Sequence, residues 1–226
     1  AADFLRITRK GANRNSLADA TTTLAALATF EGKQHPVWMR VGEDGDGIVI
    51  DLGDSTFRCI RVSQSGWEIV DEPPIRFRRT KRTLPLPIPT RPGNIGLLWE
   101  YLNIGPDSRP LVLAYLLAAL RPVGPYPVCA FNGENGAGKT TTARMLCALV
   151  DPCGATLRSA PKDVQSLEVA ALNSWLPAFD NLSYMPDLLS DAICRLSTGG
   201  ALSGRTLYTN TEETCLAIKR PSIFTG

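Results

Sequence analysis

The chain has 226 residues, of which 44% are hydrophobic and 20% are charged, a composition typical of globular rather than disordered proteins. The formal net charge is only +2, so any surface that binds nucleic acid must be local. One histidine, and six cysteines without C-x-x-C spacing, argue against a zinc site. We expect the cysteines in apolar runs to be buried thiols of a reducing, cytoplasmic protein.

Neither a membrane span nor a signal peptide is predicted. The longest apolar run covers residues 111–120, which is too short to cross a bilayer. The basic residues near the N-terminus are not followed by an apolar core. The sequence begins at Ala1 and stops at Gly226 within an apolar segment, so we expect a fragment of a longer protein.

The first part of the chain predicts one helix followed by a small antiparallel sheet. Ser16 is a suitable N-cap for a helix that extends to about Thr29 and ends before Gly32. Apolar, β-branched segments separated by glycine turns then predict a β-meander of four strands. These strands are expected at residues 37–41, 47–52, 56–62 and 67–70.

A basic run and a proline-rich run follow the predicted meander. Residues 76–82 contain five arginines and lysines, and residues 84–89 alternate proline with apolar residues. The prolines predict a stiff, extended linker. The basic run could contact a phosphate backbone, or it could be a solvated part of the linker. We therefore predict a β-rich N-terminal region at residues 1–90 and a second domain at residues 91–226.

The second domain is predicted to begin with a buried helix. Asp107 and Pro110 resemble a helix start, and residues 111–120 are apolar on every face. We therefore expect this helix to be wholly buried. Residues 126–132 then form a short apolar run that predicts a buried strand.

Residues 133–140 read G-E-N-G-A-G-K-T, a complete G-x-x-x-x-G-K-[ST] phosphate loop between a predicted strand and a predicted helix at residues 141–150. The glycines allow successive backbone N–H groups to point at phosphate oxygens, and the helix N-terminus adds to the attraction. Lys139 is expected on the β- and γ-phosphates, and the Thr140 hydroxyl on Mg²⁺. The predicted nucleotide-binding residues are Gly133, Glu134, Asn135, Gly136, Ala137, Gly138, Lys139, Thr140 and Thr141.

A second strand is expected to bring a carboxylate to the magnesium ion. Residues 175–180 form an apolar run that ends in Asp180, although Pro177 is unfavourable in a central strand. Many such ATPases have a glutamate next, where this chain has Asn181, and an amide cannot accept the proton of the attacking water. A strand at residues 155–158 and a helix at residues 162–172 favour the additional-strand type of ATPase.

Residues after Asp180 carry a resemblance to a known family. A helix is expected at residues 186–196, followed by T-G-G at 198–200, R-T-L-Y at 205–208 and a last apolar strand at 220–226. Together with the phosphate loop, this order resembles the D5-type, superfamily 3 helicases of phages, viruses and plasmids. It is most similar to the primase/helicase-like ATPases of bacterial mobile elements, over residues 93–226.

The resemblance implies an AAA+-like α/β ATPase core with a mostly parallel sheet and the cofactors ATP and Mg²⁺. It implies a homo-oligomeric ring, expected to be a hexamer, around single-stranded DNA. Lys139 and Thr140 would bind phosphates and Mg²⁺, Asp180 would complete the metal site, and Asn181 would lie beside the attacking water. Arg205 would act as an arginine finger, although a surface arginine in a hairpin is the alternative reading.

The chain departs from the family pattern at Asn181, Ala201 and Thr225. The first replaces the usual second acid, the second stands where relatives often have an acid, and the third replaces an asparagine that senses the γ-phosphate. We therefore predict an ATPase motor of a mobile-element replication helicase. One alternative is a nucleotide-gated adaptor without hydrolysis, and another is a phosphate-loop kinase for a small molecule.

Overall fold

The computed structural model describes residues 6–9, 11, 13–200, 202–205, 213–216 and 218–226, with the backbone alone at 202–205 and 213–216. The chain divides into two compact units, Ala1–Pro36 and Val37–Gly226. The domain boundary that the sequence predicts at residues 90 and 91 stays a prediction. Within the described ranges, no helix combines the length and the apolar character needed to cross a membrane.

The first unit contains helix α1, Arg14–Glu31. Its N-cap is Asn13, whose side chain accepts a hydrogen bond from the Asn15 N–H at 3.1 Å, and not Ser16 as predicted. Asparagine caps a helix as well as serine does, so the helix can begin at Asn13, three residues before the predicted cap. Every side chain of α1 is exposed.

The second unit contains twelve strands among its described residues, together with five α-helices and two short 3-10 turns. The helices are α2 (Leu98–Tyr101), α3 (Arg109–Ala119), α4 (Lys139–Val150), α5 (Val164–Asn173) and α6 (Asp187–Thr198). The strands are β1 (Val37–Trp38), β2 (Val41–Glu43), β3 (Ile48–Asp51), β4 (Cys59–Ser63), β5 (Gly66–Val70), β6 (Arg76–Phe77), β7 (Val128–Phe131), β8 (Arg158–Ser159), β9 (Ala178–Asp180), β10 (Leu202–Arg205), β11 (Glu213–Leu216) and β12 (Ser222–Thr225).

The predicted four-stranded meander is confirmed as the antiparallel sheet β2-β3-β4-β5. The predicted first strand is wrong, because the chain bends at Met39 and Arg40 and thereby separates β1 from β2. Strand β1 pairs instead with β6 in parallel. The bend turns the Arg40 side chain into the interior, where it is 1% exposed.

The proline-rich segment, which the sequence predicts as a stiff, extended linker, is hydrogen-bonded to other parts of the second unit. The Arg79 guanidinium donates to both carboxylate oxygens of the buried Asp51, at 2.8 and 2.5 Å. The Leu84 N–H donates to the Pro152 carbonyl at 3.0 Å, and the Leu86 N–H donates to the Leu52 carbonyl at 2.8 Å. These bonds attach residues 79–86 to both the meander and the segment that follows α4.

The predicted α/β class with a parallel sheet is confirmed by the order β7-β12-β9-β8, in which all neighbouring strands are parallel. The last strand in sequence, β12, lies between the strand that precedes the glycine loop and the strand that ends in Asp180. Pro177 lies just before β9, so it interrupts no ladder, and its carbonyl accepts from the Ile223 N–H at 3.2 Å.

Helices cover both faces of the parallel sheet. Ala178 and Ile223 face a core that contains residues of α3 and α4, such as Val112 and Leu146. Their neighbours along the strands, Phe179 and Phe224, stack on each other and face residues of α5 and α6. This alternation is what two adjacent strands show when both faces of their sheet are covered.

Two predictions about burial are wrong. Helix α3 packs one side on the sheet, so Leu111 and Leu117 are 71% and 69% exposed, although the sequence predicts a wholly buried helix. Strand β7 pairs only with β12 among the described strands, and Val128 is 40% exposed on its outer edge. A uniformly apolar run therefore does not distinguish a buried element from one at the side of the sheet.

Candidate functional site

A glycine-rich loop connects β7 to α4 at the carboxyl end of the parallel sheet. Gly136 and Gly138 adopt φ of 85° and 84°, in the left-handed region where side chains are strained. Gly138 is the N-cap of α4, so the loop leads directly into the first turn of the helix. The unpaired N–H groups of that turn and the positive end of the helix dipole make this entrance suited to an anion.

Lys139 is folded back over the loop. Its Nζ donates to the carbonyl of Gly133 at 2.6 Å and to the carbonyl of Glu134 at 2.9 Å. A carbonyl oxygen is a weaker partner for an ammonium group than a phosphate oxygen is. The ammonium can therefore exchange these carbonyls for an anion without moving out of the loop.

Four polar groups meet at the ends of α4, β9 and β12. The Thr140 hydroxyl donates to Asp180 Oδ1 at 2.9 Å, across 40 residues of sequence. The Thr225 hydroxyl donates to the same oxygen at 2.5 Å. The Asn181 N–H donates to the Thr225 hydroxyl oxygen at 3.1 Å. A carboxylate and a hydroxyl therefore lie together at the N-terminus of α4, and such oxygen donors suit Mg²⁺.

The environment of Asp180 favours its ionised form. The hydrogen bond from Thr225 lowers the pKa of this carboxyl below its ordinary value, although burial acts in the opposite direction. The hydrogen bond from Thr140 and the positive charge of Arg144 lower the pKa further. Asp180 is therefore a carboxylate at neutral pH.

These groups line a cleft of about 530 Å³, which we call the glycine-loop cleft. It gathers most of the residues that the sequence predicts for nucleotide binding, and their roles there stay predictions. Glu134 is not among the lining residues and contributes only its carbonyl to Lys139. The predicted residues that line the cleft are Gly133, Asn135, Gly136, Ala137, Gly138, Lys139, Thr140, Thr141, Asp180 and Asn181.

Of two other predicted positions, one is described by its backbone alone and the other is not described. The backbone of Arg205 lies in β10, where it pairs with Glu213 of β11 in an antiparallel hairpin. Its side chain lies outside the described part of the structure, as does Ala201. The predicted arginine finger therefore stays a prediction.

Sequence reasoning missed two contributors to the site. It treated Thr225 only as a departure from a family pattern, whereas its hydroxyl joins Asp180 to Asn181. It did not identify Asn103, whose Nδ2 donates to the Ala137 carbonyl at 3.0 Å and so holds the loop from outside. Asn103 lies 34 residues before its partner, and no local pattern marks it.

A second, mainly apolar cleft of about 670 Å³ adjoins the loop. It lies between α3 and the outer edge of β7, and we call it the apolar cleft. Ala137 and Lys139 line both clefts. Cys129 also lines the apolar cleft. Burial raises the pKa of its thiol to about 11, so the thiol is protonated and unreactive at neutral pH. Other lining residues are Asn103, Ile104, Leu111, Tyr115 and Phe131.

Fold and site together define a mixed α/β protein in which a glycine-rich loop faces a carboxylate at one end of a parallel sheet. The sequence model of the actinomycete integrative conjugative element replication protein family matches residues 96–226. Since this match covers more than half of the chain, the chain belongs to that family. The predicted link to replication of mobile elements is thereby confirmed, whereas membership of a helicase family stays a prediction. No curated protein matches the chain.

Proposed function

We propose that this chain binds ATP with Mg²⁺ in the glycine-loop cleft and serves as the ATPase motor of a mobile-element replication protein. The observation that carries the proposal is the hydrogen bond of 2.9 Å between the Thr140 hydroxyl and Asp180. It brings the end of the glycine motif to the only carboxylate among the described residues that line the cleft. A phosphate-loop enzyme needs this pairing for Mg²⁺.

The strand order supports the same proposal. In β7-β12-β9-β8, one strand separates the glycine-loop strand from the strand that ends in Asp180. An intervening strand is the feature that distinguishes additional-strand ATPases from simple nucleoside kinases. Ring assembly around single-stranded DNA, and an arginine finger from Arg205, belong to the same proposal.

In this proposal, each of the two clefts binds a different part of the nucleotide. The glycine-loop cleft is lined by backbone amides, Lys139 and Thr140, which suit the triphosphate. The adjoining apolar cleft is large enough for the base, and Asn103, which lines it, donates to the carbonyl of Ala137, a residue that lines both clefts. Mg²⁺, when bound, would neutralise phosphate charge, and Thr140 and Asp180 would hold it.

An adaptor that binds ATP without hydrolysing it is the second candidate, and Asn181 favours it. Asn181 adopts φ of 59°, in the left-handed region that asparagine tolerates better than glutamate does. The backbone therefore has a physical reason to carry an amide where other ATPases carry an acid. Without a second carboxylate, the attacking water lacks a proton acceptor beside Asp180.

The test of binding compares wild type with Lys139→Ala by titration with Mg-ATP in a calorimeter. Lys33→Ala is the matched control, because Lys33 is exposed and lies outside the cleft. Loss of a charge-assisted hydrogen bond is expected to weaken ATP binding by about ten- to a hundredfold. Equal affinities of wild type and Lys139→Ala, or no ATP binding by wild type at millimolar concentration, would contradict the proposal.

Phosphate release with and without single-stranded DNA then separates the candidates. Hydrolysis that DNA stimulates supports the motor, and tight binding without release supports the adaptor. Transfer of the γ-phosphate to a small acceptor would support the kinase instead.

A further inference from the structure

A third cleft, of about 370 Å³, lies beside β8, the strand at the opposite end of the parallel sheet from β7. It opens between the turn at residues 80–83 and α5, and it shares no lining residue with the glycine-loop cleft. We call it the basic cleft, because two arginines far apart in sequence line it. Its lining residues include Arg82, Arg158, Asp163, Gln165, Ser166 and Asn173.

The backbone of Arg82 is held firmly in this position. The Arg82 N–H donates to the Thr80 hydroxyl at 3.2 Å, and the Thr83 N–H donates to the Thr80 carbonyl at 3.1 Å, which closes the turn. The Gly154 N–H donates to the Arg82 carbonyl at 2.9 Å, which attaches the turn to the segment leading into β8. Arg82 itself is exposed, so its side chain is available to a ligand.

Arg158, which also lines the cleft, has one unused donor. Its Nη2 donates to the Ser174 hydroxyl at 2.7 Å, whereas its Nη1 is buried and has no hydrogen-bond partner among the described residues. Burial lowers the pKa of Arg158, and the positive charge of Arg82 lowers it further, although Cys153 and Asp151 act in the opposite direction. A buried, unpaired donor and a nearby like charge are both unfavourable, and an anion that contacts both guanidinium groups would reduce both costs.

The acidic side chain that lines the cleft already accepts two hydrogen bonds. Asp163 is the N-cap of α5, and its Oδ1 accepts from the Ser166 N–H at 2.7 Å and from the Ser166 hydroxyl at 2.6 Å. Lys81 and Lys162, both exposed, adjoin Arg82 and Asp163 in sequence. Two arginines and one aspartate are therefore the charged residues that line the cleft, and two exposed lysines adjoin lining residues in sequence.

We propose that the basic cleft binds a phosphodiester group of DNA, with Arg82 and Arg158 donating to the same phosphate. The planar guanidinium fork suits a phosphate oxygen pair. The flanking lysines favour a chain of phosphates over a single free phosphate ion, because they offer charges for the neighbouring phosphates. This contact is separate from the proposed nucleotide site and does not depend on it.

The experiment measures the affinity of the whole chain for fluorescein-labelled single-stranded and duplex oligonucleotides by fluorescence anisotropy, without nucleotide, over a series of salt concentrations. Arg82→Gln and Arg158→Gln are each expected to weaken binding by about three- to tenfold at low salt and to reduce the slope of log K against log salt by about 1. Arg76→Gln is the matched control: Arg76 belongs to the same basic run but does not line the cleft, so its affinity should stay within about twofold of wild type.

A second variant keeps the proposal testable if Arg158→Gln does not fold. Asp163→Asn keeps a good N-cap and removes the one negative charge from the cleft, so DNA should bind about two- to threefold more tightly. Thermal unfolding of each variant checks that the fold is retained.

Several results would overturn the proposal. One is a loss of DNA affinity in Arg76→Gln equal to that in the cleft variants, which would assign DNA binding to the whole basic run. Others are unchanged binding in both cleft variants, or no DNA binding by wild type. Binding of inorganic phosphate that is lost in Arg158→Gln, with DNA affinity unaffected by the same change, would make the cleft a site for a free anion.

Discussion

The antiparallel sheet β2-β3-β4-β5 and the parallel sheet β7-β12-β9-β8 place their polar groups in opposite ways. In and around the antiparallel sheet, arginines and carboxylates neutralise each other: Arg79 pairs with Asp51, and Arg61 pairs with Asp44 at 2.5 Å. In the parallel sheet the polar groups gather at the carboxyl ends of strands, where Asp180 accepts from two hydroxyls and faces an open cleft.

The difference separates charges that hold a structure together from charges that are available to a ligand. The carboxylate of Asp51 is 1% exposed, and Arg79 satisfies both of its oxygens. Asp180 accepts hydrogen bonds from the neutral hydroxyls of Thr140 and Thr225 and lines a cleft beside a lysine. We therefore expect substitutions around the antiparallel sheet to change stability, and substitutions at Asp180 and its partners to change binding as well.

Arg40 connects the two regions, and removing it is the strongest test of the comparison. Its Nε donates to Asp151 Oδ1 at 2.9 Å, and its other nitrogens donate to the carbonyls of Asp51, Leu84 and Pro152. Arg40→Ala leaves the buried Asp151 without its cation, so we expect a loss of about 3–5 kcal/mol in the free energy of unfolding. Chemical denaturation followed by circular dichroism measures it.

Arg58→Ala is the matched control for Arg40→Ala. Arg58 also pairs with an aspartate, Asp54, at 2.7 Å, but its side chain is 31% exposed. A partly exposed pair of this kind is expected to contribute about 1 kcal/mol or less. Similar losses in the two variants would show that burial does not separate these ion pairs.

Thr225→Val tests the polar end of the parallel sheet. The change removes the hydroxyl that donates to Asp180 and leaves the Asn181 N–H without its partner, so we expect a loss of about 1–2 kcal/mol at pH 7. Because the bond lowers the pKa of Asp180, its stabilising effect is present above the ordinary aspartate pKa of about 3.9 and is lost as the pH falls through the lower pKa of the folded state. The difference between wild type and variant should therefore shrink in acid.

Urea denaturation of wild type and Thr225→Val at pH 7 and pH 3 measures this effect. Thr198→Val is the control, because the Thr198 hydroxyl is exposed and donates only to the carbonyl of Cys194 in its own helix, at 2.8 Å. A difference between wild type and Thr225→Val that is independent of pH would remove Asp180 from the explanation.

Tyr115→Phe tests how α3 packs on the parallel sheet and has the smallest expected effect. The buried Tyr115 hydroxyl donates to the Ser222 carbonyl at 2.9 Å, so its removal should cost about 1 kcal/mol. Burial raises the pKa of Tyr115 well above its usual value, so the folded state disfavours the phenolate. The stability that depends on the neutral phenol is present below about pH 10 and is lost as the pH rises further.

Alkaline unfolding curves of the two proteins should therefore converge above about pH 10, as wild type loses this advantage. Tyr101→Phe, at a residue that is 70% exposed, should change neither the stability at pH 7 nor the alkaline limb. An effect of Tyr101→Phe equal to that of Tyr115→Phe would contradict the role of burial.

The features that sequence predicts well here are local. Glycines at fixed spacing between an apolar run and a helical pattern predict the loop and α4, and an apolar run ending in an acid predicts β9 with Asp180 at its end. Each depends on residues within a dozen positions, where the periodicity of side chains reports the local backbone. The four-stranded meander was predictable for the same reason, because its turns carry glycine.

The features that sequence does not predict come from contacts between distant residues. Nothing near Thr225 indicates that β12 lies beside β9, and nothing near Arg40 indicates that it meets Asp151, 111 residues later. The proline-rich segment was predicted as a linker because composition reports stiffness but not the partners that the segment finds. Exposure of Leu111 likewise depends on which side of α3 meets the sheet, which a uniformly apolar helix does not encode.

The central position of β12 has a consequence for the order in which the molecule folds. Among the described strands, β7 and β9 are joined only through β12, so the glycine loop and Asp180 reach their relative positions when residues 222–225 are in place. During synthesis, nearly a hundred residues separate the appearance of β7 from that of the strand which completes its pairing. Pairing of strands that are so far apart in sequence is slow compared with the formation of local contacts. A nascent chain can thus form its meander early, while the cleft stays unassembled until the last strand inserts.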